Sequence, residues 1–542
     1  MTSPVELPEM LFYLAPFVVH EDIPACLRVC RQWNISFTPS LWHSIKVPQD
    51  WSQSPSFPPL HILQKNAQYV RYLTLKAIEG LAPFLQRCNG LKTLVVFGEQ
   101  IAIPCKPHLE LWDELTSLIK HNPTIEWIVF GFSLSTAPST TFLRALPDAC
   151  PNLKRYESSQ GRYDDPDQIE ALMQAISNLR TVSFRYEYFV NVHLSKRWTM
   201  PYLHELTLKD ARGLSTQSQV DLVCQCPSLR HLKWTVCRDA LFPAKEFCKR
   251  VPKACPELCQ LQLDGCGLPD PDDIGRMLDS ISRLELLALC GSSITKRTFN
   301  SLIRHFGVLR SLDIMYCSQV KSWMAQRILE ECPNLTKFLS SVLLMQDIFQ
   351  GKTWAAVKLR HLEINFVQSS WSANPTEEIK ETFKQLSRLT RLRILSTGCR
   401  GRARKRGLMF KTELGMDQLK TLTKLTTLNL GVPFHQMSEA DVIWVGAHLE
   451  NLTRVEGVFH TEWSQHLHLA DRFRGFGIDV PEKNEDELEF FSEVANERVE
   501  DGNEDISEDE ETDYSYEEEE EIEDEEEAGH EDESIEQSAE NI

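Results

Sequence analysis

Cysteine and histidine side chains can bind a metal or act as nucleophiles, and cysteines can also form disulfides. The spacing of these residues in the sequence indicates which of these roles is possible. The 16 cysteines include no paired Cys-x-x-Cys units with zinc spacing, and Cys224-Gln-Cys226 is too close and too isolated to supply a site. The sequence also lacks a phosphate-cradling glycine loop, a nucleophile elbow and a zinc-protease helix. We therefore expect no metal, no cofactor and no catalytic chemistry, so that the protein is not an enzyme.

Half of the cysteines occupy regular places instead. Five lie three residues before a leucine, and three lie at the ninth position of the segment that such a leucine begins. The first group is Cys88, Cys150, Cys226, Cys255 and Cys332, and the second is Cys237, Cys266 and Cys317. A cysteine in such a place packs as a small buried hydrophobe with a weak donor, so we expect reduced, structural thiols.

The segments that these cysteines accompany have apolar residues at positions one, four and six, as at Leu258, Leu261 and Leu263. This pattern fits a short strand between tight bends, and a single unit of it cannot bury its own apolar edge. We call it the repeat segment and count its positions from the first apolar residue. It begins fifteen times, at Val70, Leu91, Ile125, Leu153, Leu179, Leu203, Leu229, Leu258, Leu284, Leu309, Leu335, Leu359, Leu392, Leu425 and Leu452. Starts from Ile125 to Leu359 lie 24 to 29 residues apart, the period expected of leucine-rich repeats.

A helical pattern follows the repeat segment. In the unit that begins at Leu284, the strand pattern gives way after Gly291 to apolar residues at helical spacing, namely Phe299, Leu302, Ile303 and Phe306. Stacked units of this kind form a parallel sheet on the inner curve and helices on the outer one. The predicted fold class is therefore α/β, with a curved leucine-rich-repeat solenoid as its main part.

Residues 5–45 have a different pattern, that of three short helices. Pro8 suits a first helical turn, and Glu9 beside it favours the positive end of that helix. Asp22 before Ile23-Pro24 indicates a second start, and Pro39-Ser40 indicates a third. Chains of about 40 residues have small cores and usually need outside support.

These residues resemble the F-box. The family pattern of Leu-Pro-x-Glu, an apolar helix, Leu-x-x-Val-Cys-x-x-Trp and a closing Leu-Trp corresponds here to Leu7-Pro8-Glu9, Leu27–Trp33 and Leu41-Trp42, although Leu27 lies two rather than three residues before Val29. The Cys-Pro-x-Leu lead-in of the repeats resembles the cysteine-containing leucine-rich repeat, which is typically found behind an F-box. The resemblance implies docking onto the Skp-type adaptor of a cullin-based ubiquitin ligase. The adaptor-binding residues that it implies are Leu7, Pro8, Glu9, Leu11, Leu14, Leu27, Val29, Cys30, Trp33, Leu41 and Trp42.

Four segments are predicted along the chain. They are a three-helix F-box at 1–46, a stiff Pro/Ser-rich linker at 47–60, a solenoid of about 15 repeats at 61–480 with insertions near 366–383 and 396–415, and a disordered acidic tail at 481–542. Residues 482–542 hold 31 acidic and two basic residues, and the remainder carries a net charge of +8. The second insertion contains the basic run Arg400–Arg406, whose role the sequence leaves open between an exposed loop, a nuclear-import signal, an anion site and a dock for the acidic tail of the same chain.

The outward positions of the repeat segments are the candidate target-binding face. Side chains at positions two, three and five should face out along the concave sheet, and they are mixed in sign. A nucleic-acid groove would be more uniformly basic, so we expect a protein-binding surface and no nucleic-acid partner. The candidate target-binding residues are Trp127, Arg155, Glu205, His231, Lys233, Asp313, His361 and Glu363.

The function expected from the resemblance is substrate recognition in an SCF-type ubiquitin ligase, with the F-box on the Skp adaptor and the repeats on an unidentified protein substrate. The acidic tail suits basic partners. No stretch approaches the roughly 20 apolar residues that span a bilayer, so no membrane partner is expected. Because the Leu11–Val19 run contains a proline and ends at His20-Glu21-Asp22, we expect a cytoplasmic or nuclear protein rather than a secreted one.

The alternative is a non-enzymatic leucine-rich-repeat regulator or scaffold with an acidic tail. Ran GTPase-activating proteins and histone-binding acidic nuclear proteins combine such repeats with such a tail. Those families lack the Leu7-Pro8-Glu9, Trp33 and Leu41-Trp42 pattern and the Cys-Pro-x-Leu lead-in.

Overall fold

The computed structural model describes residues 8–97, 108–131, 137–189, 198–235, 242–263, 271–369, 372–398, 407–431, 436–460 and 462–481. They belong to one compact unit, Met1–Pro481. Leu7, Cys237, Cys266, the basic run Arg400–Arg406 and residues 482–542 of the predicted tail lie outside the described residues.

The described strands are short. They are β1 Ser44–Val47, β2 Tyr72–Leu75, β3 Thr93–Phe97, β4 Trp127–Gly131, β5 Arg155–Ser159, β6 Arg162–Tyr163, β7 Thr181–Arg185, β8 Tyr188–Phe189, β9 Glu205–Lys209, β10 His231–Thr235, β11 Gln260–Leu263, β12 Leu286–Ala288, β13 Ser311–Ile314, β14 Lys337–Leu344, β15 His361–Val367, β16 Ile394–Ser396, β17 Thr427–Asn429 and β18 Arg454–Glu456.

Helices alternate with most of these strands. They are α1 Pro8–Leu14, α2 Ile23–Cys26, α3 Arg31–Leu41, α4 Leu60–Asn66, α5 Ala82–Leu85, α6 His108–Lys120, α7 Thr140–Ala149, α8 Pro166–Ile176, α9 Thr216–Cys224, α10 Ala244–Ala254, α11 Pro271–Ser280, α12 Lys296–Ile303, α13 Ser322–Glu331, α14 Met345–Gln350, α15 Pro375–Ser387, α16 Glu439–His448 and α17 Trp463–Gly475. Short 3-10 helices occur at Ala15–Phe17, His20–Asp22, Ala67–Tyr69, Thr412–Leu414 and Met416–Thr421.

Sixteen of the strands form one parallel sheet in chain order, from β1 to β18, with β6 and β8 forming a separate parallel pair. Each strand of the main sheet after β1 begins two residues after one of the fifteen predicted repeat starts. A parallel sheet whose neighbours are always the next unit along the chain is the arrangement of a leucine-rich-repeat solenoid. The α/β class and the long parallel sheet are therefore as the sequence predicts.

The periodicity of the repeat segment decides which side chains are buried. In the unit of β12, Leu284, Leu287 and Leu289 are at most 1% exposed, and Phe299 of the following helix packs into the same core. Thr295 begins that helix, because its hydroxyl accepts a hydrogen bond from the backbone N–H of Thr298. Strand and helix thus bury one apolar layer between them.

The cysteines before the repeat starts lie in that layer. Cys88, Cys150 and Cys255 are at most 2% exposed and carry free thiols. The Cys255 thiol lies 3.2 Å from the carbonyl oxygen of Val223 in the preceding unit, as a weak donor would. Burial raises the pKa of the Cys88, Cys150 and Cys255 thiols to about 12, which keeps them protonated.

The sheet begins earlier than predicted. β1 lies at the junction of the predicted F-box and linker, yet it pairs in parallel with β2, with Ile45 opposite Leu73. Trp42, Ile45 and Val47 supply the apolar positions one, four and six of a further repeat segment, 28 residues before Val70.

The predicted linker also differs from an extended connector. Trp51 and Phe57 pack against the main core, and the Trp51 indole N–H donates to the carbonyl oxygen of Glu79 at 3.2 Å. The two rings meet edge to face at 6.4 Å, so that residues 48–59 cover the first units of the sheet.

The third N-terminal helix begins at Arg31, not at Pro39, which lies inside it. Trp33, Phe37 and Leu41 recur every fourth residue across the proline and contact the small core of α1 to α3. Stacking of Trp33 on Phe37, at 5.2 Å between centroids, supports the helix where Pro39 removes one backbone hydrogen bond.

The two predicted insertions have different structures in their described parts. The first continues into α15, which begins at Pro375. In the second, Gly407 forms an antiparallel bridge to Val367, and the 3-10 helices from Thr412 to Thr421 stand where other units have an α-helix.

Candidate interaction surfaces

The first candidate surface is formed by α1, α2, α3 and the 3-10 helices between them. Leu11, Ala15, Ile23 and Phe37 make a separate small core, each at most 3% exposed. Four buried side chains are few for a unit of this size, so little of its apolar surface is covered from within.

Large apolar side chains remain exposed on this helical unit. Phe17 is 84% exposed and Tyr13 is 76% exposed. The eight exposed large apolar residues between positions 10 and 35 are Met10, Phe12, Tyr13, Leu14, Phe17, Val19, Val29 and Ile35, which we call the helical apolar surface. Single exposed apolar residues are ordinary, whereas contiguous exposed apolar patches are typical of contact sites.

The residues predicted to bind the adaptor divide by burial. Glu9, Leu14, Val29 and Cys30 are exposed, and Leu11 is fully buried in the small core. Pro8 begins α1. Leu27, Trp33 and Leu41 are partly buried against the small core. Exposed members can meet a partner directly, whereas buried ones hold the helices that present the surface.

Trp42 packs against the main core of the sheet rather than against the small helical core. Its side chain is partly buried against the main core of the sheet, while the adjacent Leu41 packs on the small helical core. The closing Leu-Trp pair therefore joins the helical unit to the first repeat. The sequence signal for this role was present, because Trp42 stands at position one of the repeat segment that contains β1.

The second candidate surface is the outward face of the main sheet, which we call the strand face. Position four is buried in every strand of the main sheet, and the alternation is clearest in β10, with His231 and Lys233 partly exposed and Leu232 and Trp234 buried. The register aligns position three of every strand in one row across the sheet.

The residues predicted to bind a target fall into two groups on this face. Trp127, Arg155, Glu205, His231 and Lys233 lie on β4, β5, β9 and β10, with β7 completing the run. Asp313, His361 and Glu363 lie on β13 and β15, and β11 and β12 separate the two groups. The sheet therefore does not gather all eight into one site.

Trp127 and Arg155 form the centre of the first group. The Arg155 guanidinium lies over the Trp127 ring at 4.5 Å, and its Nε donates to Glu157 at 2.7 Å. Arg185 on the next strand approaches the same carboxylate at 3.7 Å. This side-chain cluster is held in place by its own ion pairs and by a cation–π contact.

Two histidines on the strand face sit beside carboxylates. His231 lies 3.7 Å from Glu205, and His361 lies 3.7 Å from Glu363. Burial lowers the pKa of His231 more than the Glu205 carboxylate raises it, so this imidazole is neutral near pH 7.

Several cations of the strand face were missed in the sequence, because position seven and the earliest strands were not considered. They are Lys46, Arg71, Lys76, Lys92, Arg185 and Lys209. Position seven follows the second inward leucine and could have been included from the period alone.

The described residues contain no group of three or more histidine, cysteine, aspartate or glutamate side chains placed to hold a metal ion. A groove of about 420 Å³ lies on the helical side between α13 and α14, lined by Trp323, Arg327, Glu330 and Asp347, away from the strand face. No helix in the described part of the chain has both the length and the apolar composition needed to cross a membrane.

Comparison with models of known families and with curated proteins finds no match. Among solved structures, the chain is similar to one chain in the crystal structure of the Rad7 and Elc1 complex in yeast, at 12% sequence identity and a TM-score of 0.39 over 89% of this chain and 93% of that one. A similarity this low carries no argument about function. The repeat fold is therefore assigned from the strand pairing of the chain itself, an α/β solenoid with one parallel sheet.

Proposed function

We propose that this protein is the substrate-recognition subunit of an SCF-type ubiquitin ligase, with α1 to α3 docking onto a Skp-type adaptor and the strand face holding a target protein. The observation that carries the proposal is the helical apolar surface: eight exposed large apolar side chains within residues 10–35. A soluble chain gains stability when a partner covers such a surface.

The sequence resemblance to the F-box indicates that the partner covering this surface is a Skp-type adaptor. The exposed Leu14, Val29 and Cys30 belong both to the family pattern and to the exposed part of the helical unit. Burying apolar area of this kind contributes about 25 cal/mol per Å². Covering these side chains would therefore contribute favourably to an adaptor contact, against the entropic cost of association.

The proposed mechanism is tethering rather than catalysis. A chain that holds the ligase scaffold at one surface and a target at another raises the effective concentration of target lysines near a charged ubiquitin carrier. No residue of this chain takes part in a chemical step in this proposal.

Adaptor capture tests the proposal. The variant Leu14→Glu with Val29→Glu places two carboxylates in the apolar surface, and both positions are exposed, so the fold is retained. Purified Skp-type adaptor should bind the unchanged chain, and the variant should bind about 100-fold more weakly.

The matched control is Phe349→Glu with Val357→Glu, two exposed apolar positions among the repeats. It should bind the adaptor as the unchanged chain does. An unchanged chain that does not capture the adaptor, or equal binding by the two variants, would overturn the proposal.

A further inference from the structure

We propose that the first half of the strand face, from β1 to β10, captures its target through an acidic peptide segment that lies across the strands. This inference rests on the proposed function and names the chemistry of the target. It follows from the charges at the outward positions of neighbouring strands, once position seven and the earliest strands are included.

The two halves of the main sheet differ in charge. At positions two, three, five and seven of the eight strands β1 to β10, without the side pair β6 and β8, the face carries 11 basic and three acidic residues. The basic ones are Lys46, Arg71, Lys76, Lys92, Lys154, Arg155, Arg180, Arg185, Lys209, Arg230 and Lys233, and the acidic ones are Glu126, Glu157 and Glu205.

The second half is nearly balanced. The same positions of β11 to β18, as far as the described residues extend, carry five basic and four acidic residues. The basic ones are Arg310, Lys337, Arg360, Arg393 and Arg454, and the acidic ones are Glu285, Asp313, Glu363 and Glu456. The net charge is +8 on the first half and +1 on the second.

The cations of the first half are close enough to act together. Neighbouring strands lie about 4.8 Å apart, which is shorter than the screening length of about 8 Å at physiological salt. Lys154 and Arg180 share position two on the paired strands β5 and β7, and Arg185 stands opposite Lys209 at position seven of β7 and β9, so their potentials add. Arg230 on β10 contributes less, because it forms an ion pair with Glu257 at 2.8 Å.

The dimensions fit an extended peptide. Eight strands at about 4.8 Å span about 34 Å, and an extended chain covers about 3.3 Å per residue. A segment of about ten residues therefore crosses the basic half from edge to edge.

The three carboxylates favour a peptide over a nucleic acid. Glu126 lies 2.6 Å from Lys154, and Glu157 lies 2.7 Å from Arg155, so both stand inside the basic half and neutralise part of it. A phosphodiester backbone carries a charge at every nucleotide and would meet these carboxylates, whereas a peptide can place neutral residues there.

Arg180 and Lys233 are the positions to change. Neither side chain has an ion pair with another residue in the described part of the chain, so replacing them breaks no ion pair there. Lys337 and Arg360 are the matched pair in the second half, with the same side-chain types and equally without ion pairs among the described residues.

The probe is a fluorescent peptide of about twelve residues that alternates glutamate and alanine, compared with the same peptide containing glutamine. The full chain should bind the acidic peptide at least tenfold more tightly than the glutamine peptide. Arg180→Ser with Lys233→Ser should weaken acidic-peptide binding about tenfold, and Lys337→Ser with Arg360→Ser should change it less than twofold.

Three results would overturn the inference. They are equal effects of the two double variants, equal binding of the two peptides, and tighter binding of single-stranded DNA of equal charge that is lost in the Arg180 and Lys233 variant. The inference would also be overturned if peptide binding appeared only after residues 482–542 are removed. The acidic segment that competes for these cations would then belong to the chain itself and not to a target.

Adaptor capture by the same proteins separates this inference from the proposed function. If the variants keep the adaptor and no peptide effect is found, the inference fails alone. If the unchanged chain does not capture the adaptor, the proposed function fails, whatever the peptide does.

Discussion

At the scale of single residues, Glu187 is a carboxyl group whose pKa is strongly raised by its surroundings. Its carboxyl is fully buried, and neither oxygen has a hydrogen bond of ordinary geometry in the described structure. Tyr156 and Ser158 of β5 and Tyr163 of β6 face it, and all three are neutral. Burial raises the pKa of Glu187 to about 8, against the smaller opposite effect of Ser158 and the Gly161 backbone.

The stability of the chain should therefore depend on pH through Glu187. Because the folded pKa is raised above its ordinary value of 4.5, protonation favours the folded state, and that stability is lost as the pH rises from 4.5 to about 8. Glu187→Gln keeps the neutral form at every pH. Its free energy of unfolding should rise relative to the unchanged chain by about 3 kcal/mol between pH 5.5 and pH 8.5, at about 1.4 kcal/mol per unit of pKa.

Thermal unfolding of both proteins across that pH range measures the effect. Glu450→Gln, at an exposed position of the last repeats, is the control and should track the unchanged chain at each pH. A difference between Glu187→Gln and the unchanged chain that stays constant with pH would show that Glu187 is ionised in the folded protein.

At the scale of elements, the contact between α3 and β1 joins the two surfaces. α3 ends at Leu41 on the helical core, Trp42 packs on the sheet core, and β1 begins at Ser44. The backbone N–H of Trp42 donates to the carbonyl oxygen of Thr38 at 3.2 Å, so the last turn of α3 is continuous with the first repeat. The helical unit is thereby attached without a long connector.

Trp42→Ala should lower the stability of the chain while leaving its affinity for the adaptor nearly unchanged. Removing a large, partly buried ring from the sheet core should lower the free energy of unfolding by about 3 kcal/mol. Adaptor affinity should stay within about threefold below the melting temperature, because Trp42 packs on the sheet rather than on the helical apolar surface. A large loss of affinity with unchanged stability would mean that Trp42 contacts the adaptor directly.

The repeats were predictable from sequence because their signal is local and recurs. Apolar residues at positions one, four and six fix each strand, and the strands from β2 onward start at a constant offset from Val70 to Leu452. β1 carries the same signal in Trp42, Ile45 and Val47, but the overlapping helical pattern of α3 hid it. Pro39 misled in the same region, because aromatic packing across the proline outweighed its tendency to begin a helix.

The candidate surfaces were less predictable. The family pattern lists Leu11 and Val29 alike, and only the fold separates the buried one from the exposed one. On the strand face, residues such as Lys154 and Arg180 are distant in sequence and become neighbours through pairing of β5 with β7. Their summed charge was missed because position seven and the earliest strands were left out, so the outward residues considered appeared mixed in sign.

At the scale of the whole molecule, the described residues present two different surfaces, one apolar and one basic. The apolar surface is confined to α1 to α3, and the basic one is spread over eight strands of the main sheet. Apolar burial gives affinity that salt hardly weakens, whereas a basic face gives binding that falls as salt rises. Under the proposed function, adaptor binding would therefore persist as salt rises while target binding weakens.

The measurement that tests the receptor proposal most directly is hydrogen–deuterium exchange of the full chain with and without purified Skp-type adaptor. The proposal predicts slower exchange across residues 8–41, where the helical apolar surface becomes covered, and unchanged exchange in β2 to β18. The contradicting result is unchanged exchange in α1 to α3 at saturating adaptor, or protection that appears on the strands instead.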